Sequence, residues 1–207
     1  ISLIMGPCAG GAVYSPALTD FTIMVDQTSH MFLTGPEIVA SVTGERVTSE
    51  ELGGAAVHAG RSGVAQFEAR SEIQALELTK LLLSYLPANT SDDAPILVSD
   101  DSPDRMSESL NTIVPEDDRV AYDMRKVLDE IFDTDSILEV HEAFAPNAIV
   151  AFARLDGRPV GIVANQPTVM SGVLDIDSSD KISRFIRICE VYSIPVITFV
   201  DCPGYLP

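Results

Sequence analysis

Gly6-Pro7-Cys8-Ala9-Gly10-Gly11-Ala12-Val13-Tyr14-Ser15-Pro16-Ala17 is the stretch that decides how this chain folds. An apolar run, Ile1 to Met5, precedes it and has the character of a buried strand end. Leu18 to Val25 follows as a second strand, with its best segment over Thr19 to Val25. Three glycines within six residues let the backbone turn sharply and come close to a ligand. A short helix is expected to begin at Gly10-Gly11 and to stop near Pro16. Its first N–H groups have no acceptor inside the helix, and such an end attracts developing negative charge. Two of these amides aimed at one carbonyl oxygen make an oxyanion hole.

Outward from that loop, residues 1–88 alternate short apolar strands with helical stretches, the pattern of layered α/β structure. Pro36 suits the first position of a helix after Gly35. Ser49-Glu50-Glu51-Leu52 opens another helix that Gly53-Gly54 closes early. Glu68 to Leu86 is expected to be helical, with Ile73, Leu76, Leu78, Leu81, Leu82 and Tyr85 on its inner side. Residues 88–120 change character. Four prolines (87, 95, 103 and 115) interrupt the pattern, and Asp92, Asp93, Asp100, Asp101, Asp104, Glu116, Asp117 and Asp118 crowd it. That composition reads as an exposed, solvated connection. Tyr122 to Phe132 resumes as a helix, and Asp135 or Ser136 is expected to cap a further short one. A hairpin is predicted around Asp156-Gly157, between Ala148–Leu155 and Pro159–Ala164. Asp177 to Tyr192 is predicted as a helix with Ile182, Phe185, Ile186 and Cys189 inward. Ile194 to Val200 is expected to be a buried strand.

The composition excludes several classes. With 46% hydrophobic residues and a mean hydropathy of +0.20, the chain has enough apolar content for a core. No apolar run approaches the roughly 20 residues that span a membrane. A net charge of −18 opposes nonspecific binding to nucleic acid or anionic lipid. Cys8, Cys189 and Cys202 lack the spacing of a metal or redox pair and suit a reducing compartment. His58 and His141 have no metal-ligand spacing either, so no metal is expected. No Met-Lys-Met biotin-attachment site and no Gly-rich ATP loop with Lys is present.

The loop, together with Phe32-Leu33-Thr34-Gly35-Pro36-Glu37, Glu51-Leu52-Gly53-Gly54-Ala55, Ser136 to Val140, Val160 to Pro167, Gly172 to Ser179 and Phe199 to Pro207, resembles the carboxyltransferase (beta) subunits of biotin-dependent acyl-CoA carboxylases. The propionyl-CoA carboxylase type is the best match, and the resemblance runs over the whole chain. It implies an α/β, crotonase-like (ClpP/crotonase) fold with parts of two tandem similar domains. Residues 1–88 would be the late part of the first, 89–136 an acidic connection and helix, and 137–207 the early part of the second. Family members are more than twice this long and Ile1 is not an initiator, so the resemblance implies an internal piece of a larger subunit, which need not be active alone. Further implications are a homo-oligomer (a hexamer by resemblance), a biotin carboxylase/biotin carrier alpha subunit as partner, biotin carried by that partner, coenzyme A as part of the acyl-CoA substrate, and a cytoplasmic location, or mitochondrial matrix in a eukaryote.

The reaction so implied moves a carboxyl group from carboxybiotin to the α-carbon of a short-chain acyl-CoA, with propionyl-CoA giving methylmalonyl-CoA as the best guess. Two transient anions arise, a thioester enolate and a biotin ureido oxyanion, and the family meets both with backbone N–H groups. Gly10 and Gly11 match the thioester pair, with Ala9 and Ala12 as small neighbours that admit the acyl group. Gly172 with Val173 matches the place where the biotin site begins, its partner glycines falling beyond Pro207. Asn165 and Gln166 are candidate ligand contacts; the alternative for them is an ordered turn after a buried strand. Ser15 as a nucleophile with His30 and Asp20 or Asp26 is a rival, weakened by Pro16 and by the absence of an orienting partner for His30. Cys8 reads as a small residue in a tight turn. Arg46, Arg61 and Arg70 are candidates for the coenzyme phosphates or plain solvated charges. Two other functions share these motifs: a decarboxylase of the same fold, and a noncatalytic scaffold that would bind no coenzyme A.

Overall fold

The structure, a computed structural model, describes residues 1–117 and 119–206; Asp118 of the acidic connection and Pro207 lie outside them. The chain divides into two compact units, Ile1–Leu81 with His141–Phe144, and Leu82–Val140 with Ala145–Pro207.

In the first unit, β1 (Ser2–Ile4) leads to β2 (Pro7–Ala9), a 3-10 turn (Gly10–Val13) and α1 (Tyr14–Ala17). Then come β3 (Thr22–Val25), β4 (His30–Phe32), α2 (Pro36–Thr43), α3 (Ser49–Gly53), α4 (Ala55–Val57), a π turn (His58–Ser62) and β5 (Phe67–Ala69). The strands form a parallel sheet in the order β1-β3-β5 and a separate parallel ribbon β2-β4. Every residue of β3 is buried, as expected of a central parallel strand covered on both faces. Ile4, Val13, Met24, Met31, Ala55, Ala59 and Ala65 close one core, which ties the 3-10 turn through Val13 to the sheet. Gly35 and Pro36 start α2 as predicted, and Thr48 caps α3 in a reciprocal capping box with Glu51.

α5 (Glu72–Tyr85) begins later than predicted, because Phe67–Ala69 pairs with β3 as a strand. Its helical stripe is also misread. Ala75, Leu82 and Tyr85 are buried, whereas Ile73 and Leu76 are 71% and 50% exposed. Among its described residues the acidic connection holds the one-turn α6 (Leu110–Ile113) before α7 (Met124–Ile131).

The second unit is a four-stranded sheet in the order β6 (Leu138–Val140), β7 (Ala148–Leu155), β8 (Arg158–Asn165), β9 (Val196–Phe199), with α8 (Ile176–Val191) before the last strand. The β7-β8 hairpin turns on Asp156 and Gly157, both at positive φ (51° and 72°), as a two-residue mirror-image turn requires. Alternation along β7 divides the core. Ile149, Ala151 and Ala153 face Met124 and Leu128 of α7 and Phe132 just after it. On the opposite face Phe152 stacks on Tyr85 at 5.7 Å and meets Phe185 of α8 at 5.0 Å. The short helix expected after Asp135 is instead β6, which pairs with β7; Asp135 sits at φ 56° in the turn before it. On α8, Phe185 and Cys189 are buried as predicted, Ile186 is 42% exposed, and Lys181 lies inward with 2% exposure. β9 is half-exposed rather than buried. Among the described residues no helix is long and apolar enough to cross a membrane.

Candidate functional site

Ala9 ends β2 in an extended conformation (φ −129°, ψ 156°), and Gly10 then takes φ 65°, in the left-handed region that favours glycine. That reversal feeds the chain straight into the 3-10 turn. The opening N–H groups of such a turn have no acceptor within it, and no side chain caps it. His30 N–H donates to the Gly6 carbonyl at 3.4 Å, which sets the phase of the β2-β4 ribbon. In that phase the Gly10 amide faces β4 and the Gly11 amide lies past the ribbon's end. Gly11 is exposed, and a Cβ built on it would meet nothing within 4 Å. Ala9 and Ala12 are exposed beside it, while Val13 is 7% exposed and anchors the turn. The result is a small, open surface at the head of a turn whose first amides have no acceptor within it.

In the same unit Gly35, Pro36, Glu37, Ile38, Thr48 and Ser49 line an open cleft of about 500 Å³. Arg46, Arg61 and Arg70 are all exposed. Cys8 lies half-buried in β2 and pairs with Met31, in a strand rather than in the turn itself.

The candidates of the second unit have a different character. The Gly172 N–H donates to the Val169 carbonyl at 3.0 Å, and the Val173 N–H to that of Met170 at 3.1 Å. Their own carbonyls accept from Asn165 Nδ2 and Asn147 Nδ2, both at 2.8 Å. As oxyanion donors, then, both amides are already engaged within the loop, and Gly172 is a glycine because it sits at φ 74° with the Asp201 carbonyl 2.7 Å from where a Cβ would be. Asn165 and Gln166 are 6% and 0% exposed. Asn165 Oδ1 also accepts the Asp201 N–H at 3.3 Å. Gln166 Nε2 donates to Asp123 at 2.7 Å, and its Oε1 accepts the Met124 amide at the start of α7 at 3.1 Å. Both side chains are spent on the protein's own turns, so the ligand-contact assignment gives way to the ordered-turn alternative. Burial pushes the Asp123 carboxyl up, but the Gln166 and Arg125 hydrogen bonds outweigh it and hold it below its usual range. Beside this loop Tyr122 Oη donates to Asp201 at 2.8 Å; burial, then that carboxylate, raises the phenol to about 12.

The histidines carry what sequence reasoning missed. His30, thought to lack an orienting partner, holds Glu50 at 3.0 Å and so is committed to a carboxylate of α3. His58 Nε2 lies 2.7 Å from the Met31 carbonyl of β4, and its Nδ1 lies 2.9 Å from Ser62 Oγ. His141 Nε2 reaches the Gly63 carbonyl at 2.9 Å. The signal for His58 was its place four residues before Ser62 within a glycine-rich turn, which a search for metal spacing passes over. Among the described residues no group of three His, Cys, Asp or Glu could hold a metal ion. Burial lifts the Cys189 thiol to about 12, which leaves it a core residue without nucleophilic character.

Comparison with known proteins adds three findings. The carboxyl transferase domain model matches residues 1–207. The chain is 56% identical over 207 residues to the propionyl-CoA carboxylase carboxyltransferase subunit of Haloferax mediterranei, and 54% identical to the methylmalonyl-CoA decarboxylase alpha subunit of Veillonella parvula. All of this chain aligns in each case, against 40% and 41% of the relatives' own lengths. Among solved structures it resembles the hexameric transcarboxylase 12S core with hydrolysed methylmalonyl-coenzyme A bound, at a TM-score of 0.95 and 49% identity, covering 99% of this chain and 40% of that one. The fold is therefore the α/β, crotonase-like fold of carboxyltransferases, and the chain belongs to the carboxyl transferase domain family.

Proposed function

We propose that the protein containing this chain transfers a carboxyl group from carboxybiotin to the α-carbon of a short-chain acyl-CoA, with propionyl-CoA giving methylmalonyl-CoA. The observation that carries this reading is the exposed Gly11 at the head of a helical turn that no side chain caps, between the small residues Ala9, Gly10 and Ala12. A thioester carbonyl laid against it gains negative charge as the α-proton leaves, and the amide dipole meets that charge without reorganising. The enolate's α-carbon would then bond the carboxyl carbon as that carbon's bond to the biotin ureido nitrogen breaks, and the ureido anion so released would take up the α-proton. Gly10's role is to turn the chain, through its positive φ, so that this amide clears the strand. Bound biotin would supply the activated carboxyl group, carried in this proposal by a partner subunit. A hexamer of the full-length subunit, in a soluble compartment, completes the proposal; the hexameric transcarboxylase core supports it.

The test separates the amide from the space around it. Gly11→Pro removes the N–H at an early helical position that tolerates proline, whereas Gly11→Ala keeps it and adds a methyl group facing open space. In the full-length enzyme the proline variant is expected to lose about a hundredfold or more in kcat, and the alanine variant far less. Equal losses, or none, would remove the oxyanion role. A second reading, decarboxylation of methylmalonyl-CoA, is favoured by the Veillonella relative, which matches almost as well. Assaying biotin-dependent CO2 release against carboxylation with the same preparation distinguishes the two.

A further inference from the structure

We infer that His58 is a positioning residue for the Gly10-Gly11 turn, acting through β4; the inference rests on the oxyanion reading of that turn. β2 and β4 are each three residues long and form a two-stranded ribbon. A ribbon that short does not hold its geometry alone. One edge of β4 is used by β2, so the Met31 carbonyl, one residue out of phase, points to the other edge. There it is met by His58 Nε2 at 2.7 Å. A carbonyl only accepts, so Nε2 carries the proton. In the neutral ring Nδ1 then accepts from Ser62 Oγ at 2.9 Å, which fixes the tautomer. The imidazole thus does the work of a third strand at the point where the ribbon hands over to the turn: Met31 pairs with Cys8, Phe32 with Ala9, and Gly10 comes next.

The rest of that edge is equally constrained. His30 bridges to Gly54, and its ring is held by Glu50 at 3.0 Å. A Cβ on Gly53 would sit 2.1 Å from the Met31 carbonyl oxygen, so the backbone of α3 packs directly against the group that His58 binds. His58 itself opens a π turn, a rare local form with an i→i+5 hydrogen-bond pattern. His141 supports the far end of that turn through the Gly63 carbonyl at 2.9 Å. Fixing one strand carbonyl fixes the strand's translation along its axis, and with it the path of the turn that carries the Gly11 amide. Displacements of about an ångström at a reacting centre cost on the order of a hundredfold in rate.

Steady-state kinetics of the full-length enzyme with propionyl-CoA test the role. A glutamine amide places an N–H where Nε2 stood; an asparagine amide is one bond too short. His58→Asn is expected to lower kcat tenfold to a hundredfold with KM for acyl-CoA changed less than threefold, and His58→Gln to recover to within about threefold of the unsubstituted enzyme. Because both replacements are polar amides in the same pocket, a loss of folding shared by both variants is not mistaken for the effect: it would show that volume, not the hydrogen bond, is what the site needs, and would overturn the proposal. Equal activity of the two variants would overturn it as well. If Gly11→Pro is costly and His58→Asn is harmless, positioning falls and the oxyanion reading stands. If Gly11→Pro is also harmless, both fall.

Discussion

Arg154 illustrates how much a single residue settles. It lies in β7 with 5% exposure, and its guanidinium sits 4.6 Å over the Tyr85 ring. Nη1 donates to the carbonyls of Pro95 and Gly157, both at 2.9 Å, and Nη2 to that of Ser84 at 2.6 Å. One cation thereby joins the end of α5, the acidic connection and the hairpin turn. Burial pushes its pKa down, and the Tyr85 and Asp133 charges push back. Replacing it with methionine takes the guanidinium from the Pro95 and Ser84 carbonyls, while that of Gly157 keeps the Leu97 N–H at 3.1 Å, which is expected to cost about 2–4 kcal/mol of stability. Lysine keeps the charge but lacks the planar fork, so it should recover only part. Urea unfolding followed by circular dichroism measures both, and a loss under about 1 kcal/mol for Arg154→Met would mean that water replaces the guanidinium. The sequence shows an arginine in an apolar strand, an anomaly legible as such. Its partners are 3 to 70 positions away, and no local pattern names them.

Helix ends behave more predictably than single partners. Asp175 caps α8, accepting the Ser178 amide at 2.9 Å and the Ser178 hydroxyl at 2.6 Å. Those bonds, led by the hydroxyl, hold its carboxyl below the usual range. A folded-state pKa below the unfolded one means that the stabilisation is complete above the unfolded value, near 4, and is lost as pH falls through the lower folded value. Asp175→Ala should therefore cost about 1 kcal/mol at pH 7 and progressively less below pH 4. Asp175→Asn keeps an acceptor and should flatten the pH dependence; thermal melts between pH 3 and 7 read both, and a pH-independent penalty for alanine would refute the assignment. Helix α8 was legible because its 3.6-residue period is long, and the β7-β8 hairpin because two continuous apolar runs flank an explicit Asp-Gly turn. β5 and β6 were not, since three residues carry too short a period to outvote a neighbouring helix. The inward stripe of α5 failed for a related reason: leucine spacing shows that a helix is amphipathic, not which flank is covered.

At the scale of the molecule the family was legible and the second site was not. Several ordered motifs survive any error in placing single elements, and the glycine doublet states its backbone requirement openly. Whether an amide at Gly172 is spent inside its own loop depends on the path of residues 165–173, which composition does not encode. Charge is the whole-molecule property that sequence gives outright. With 31 acidic against 13 basic residues, and acidic groups massed in the connection, the folded units and their connection carry −18. Like charges so confined repel more than they do in the expanded unfolded chain, which lowers stability. Salt shortens the screening length from about 30 Å at 0.01 M to about 3 Å at 1 M. The melting midpoint should consequently rise by at least about 4 °C on going from 0.01 to 1 M sodium chloride at pH 7, a gain of one to two kcal/mol for a chain this size. Chloride is the right anion, because sulfate would strengthen apolar burial as well. The control lies in pH: near the isoelectric point of about 4.3 net repulsion vanishes, and the same salt step should leave the midpoint almost unchanged. A salt increment of equal size at both pH values would place the effect in hydration or ion binding instead of in the protein's own field.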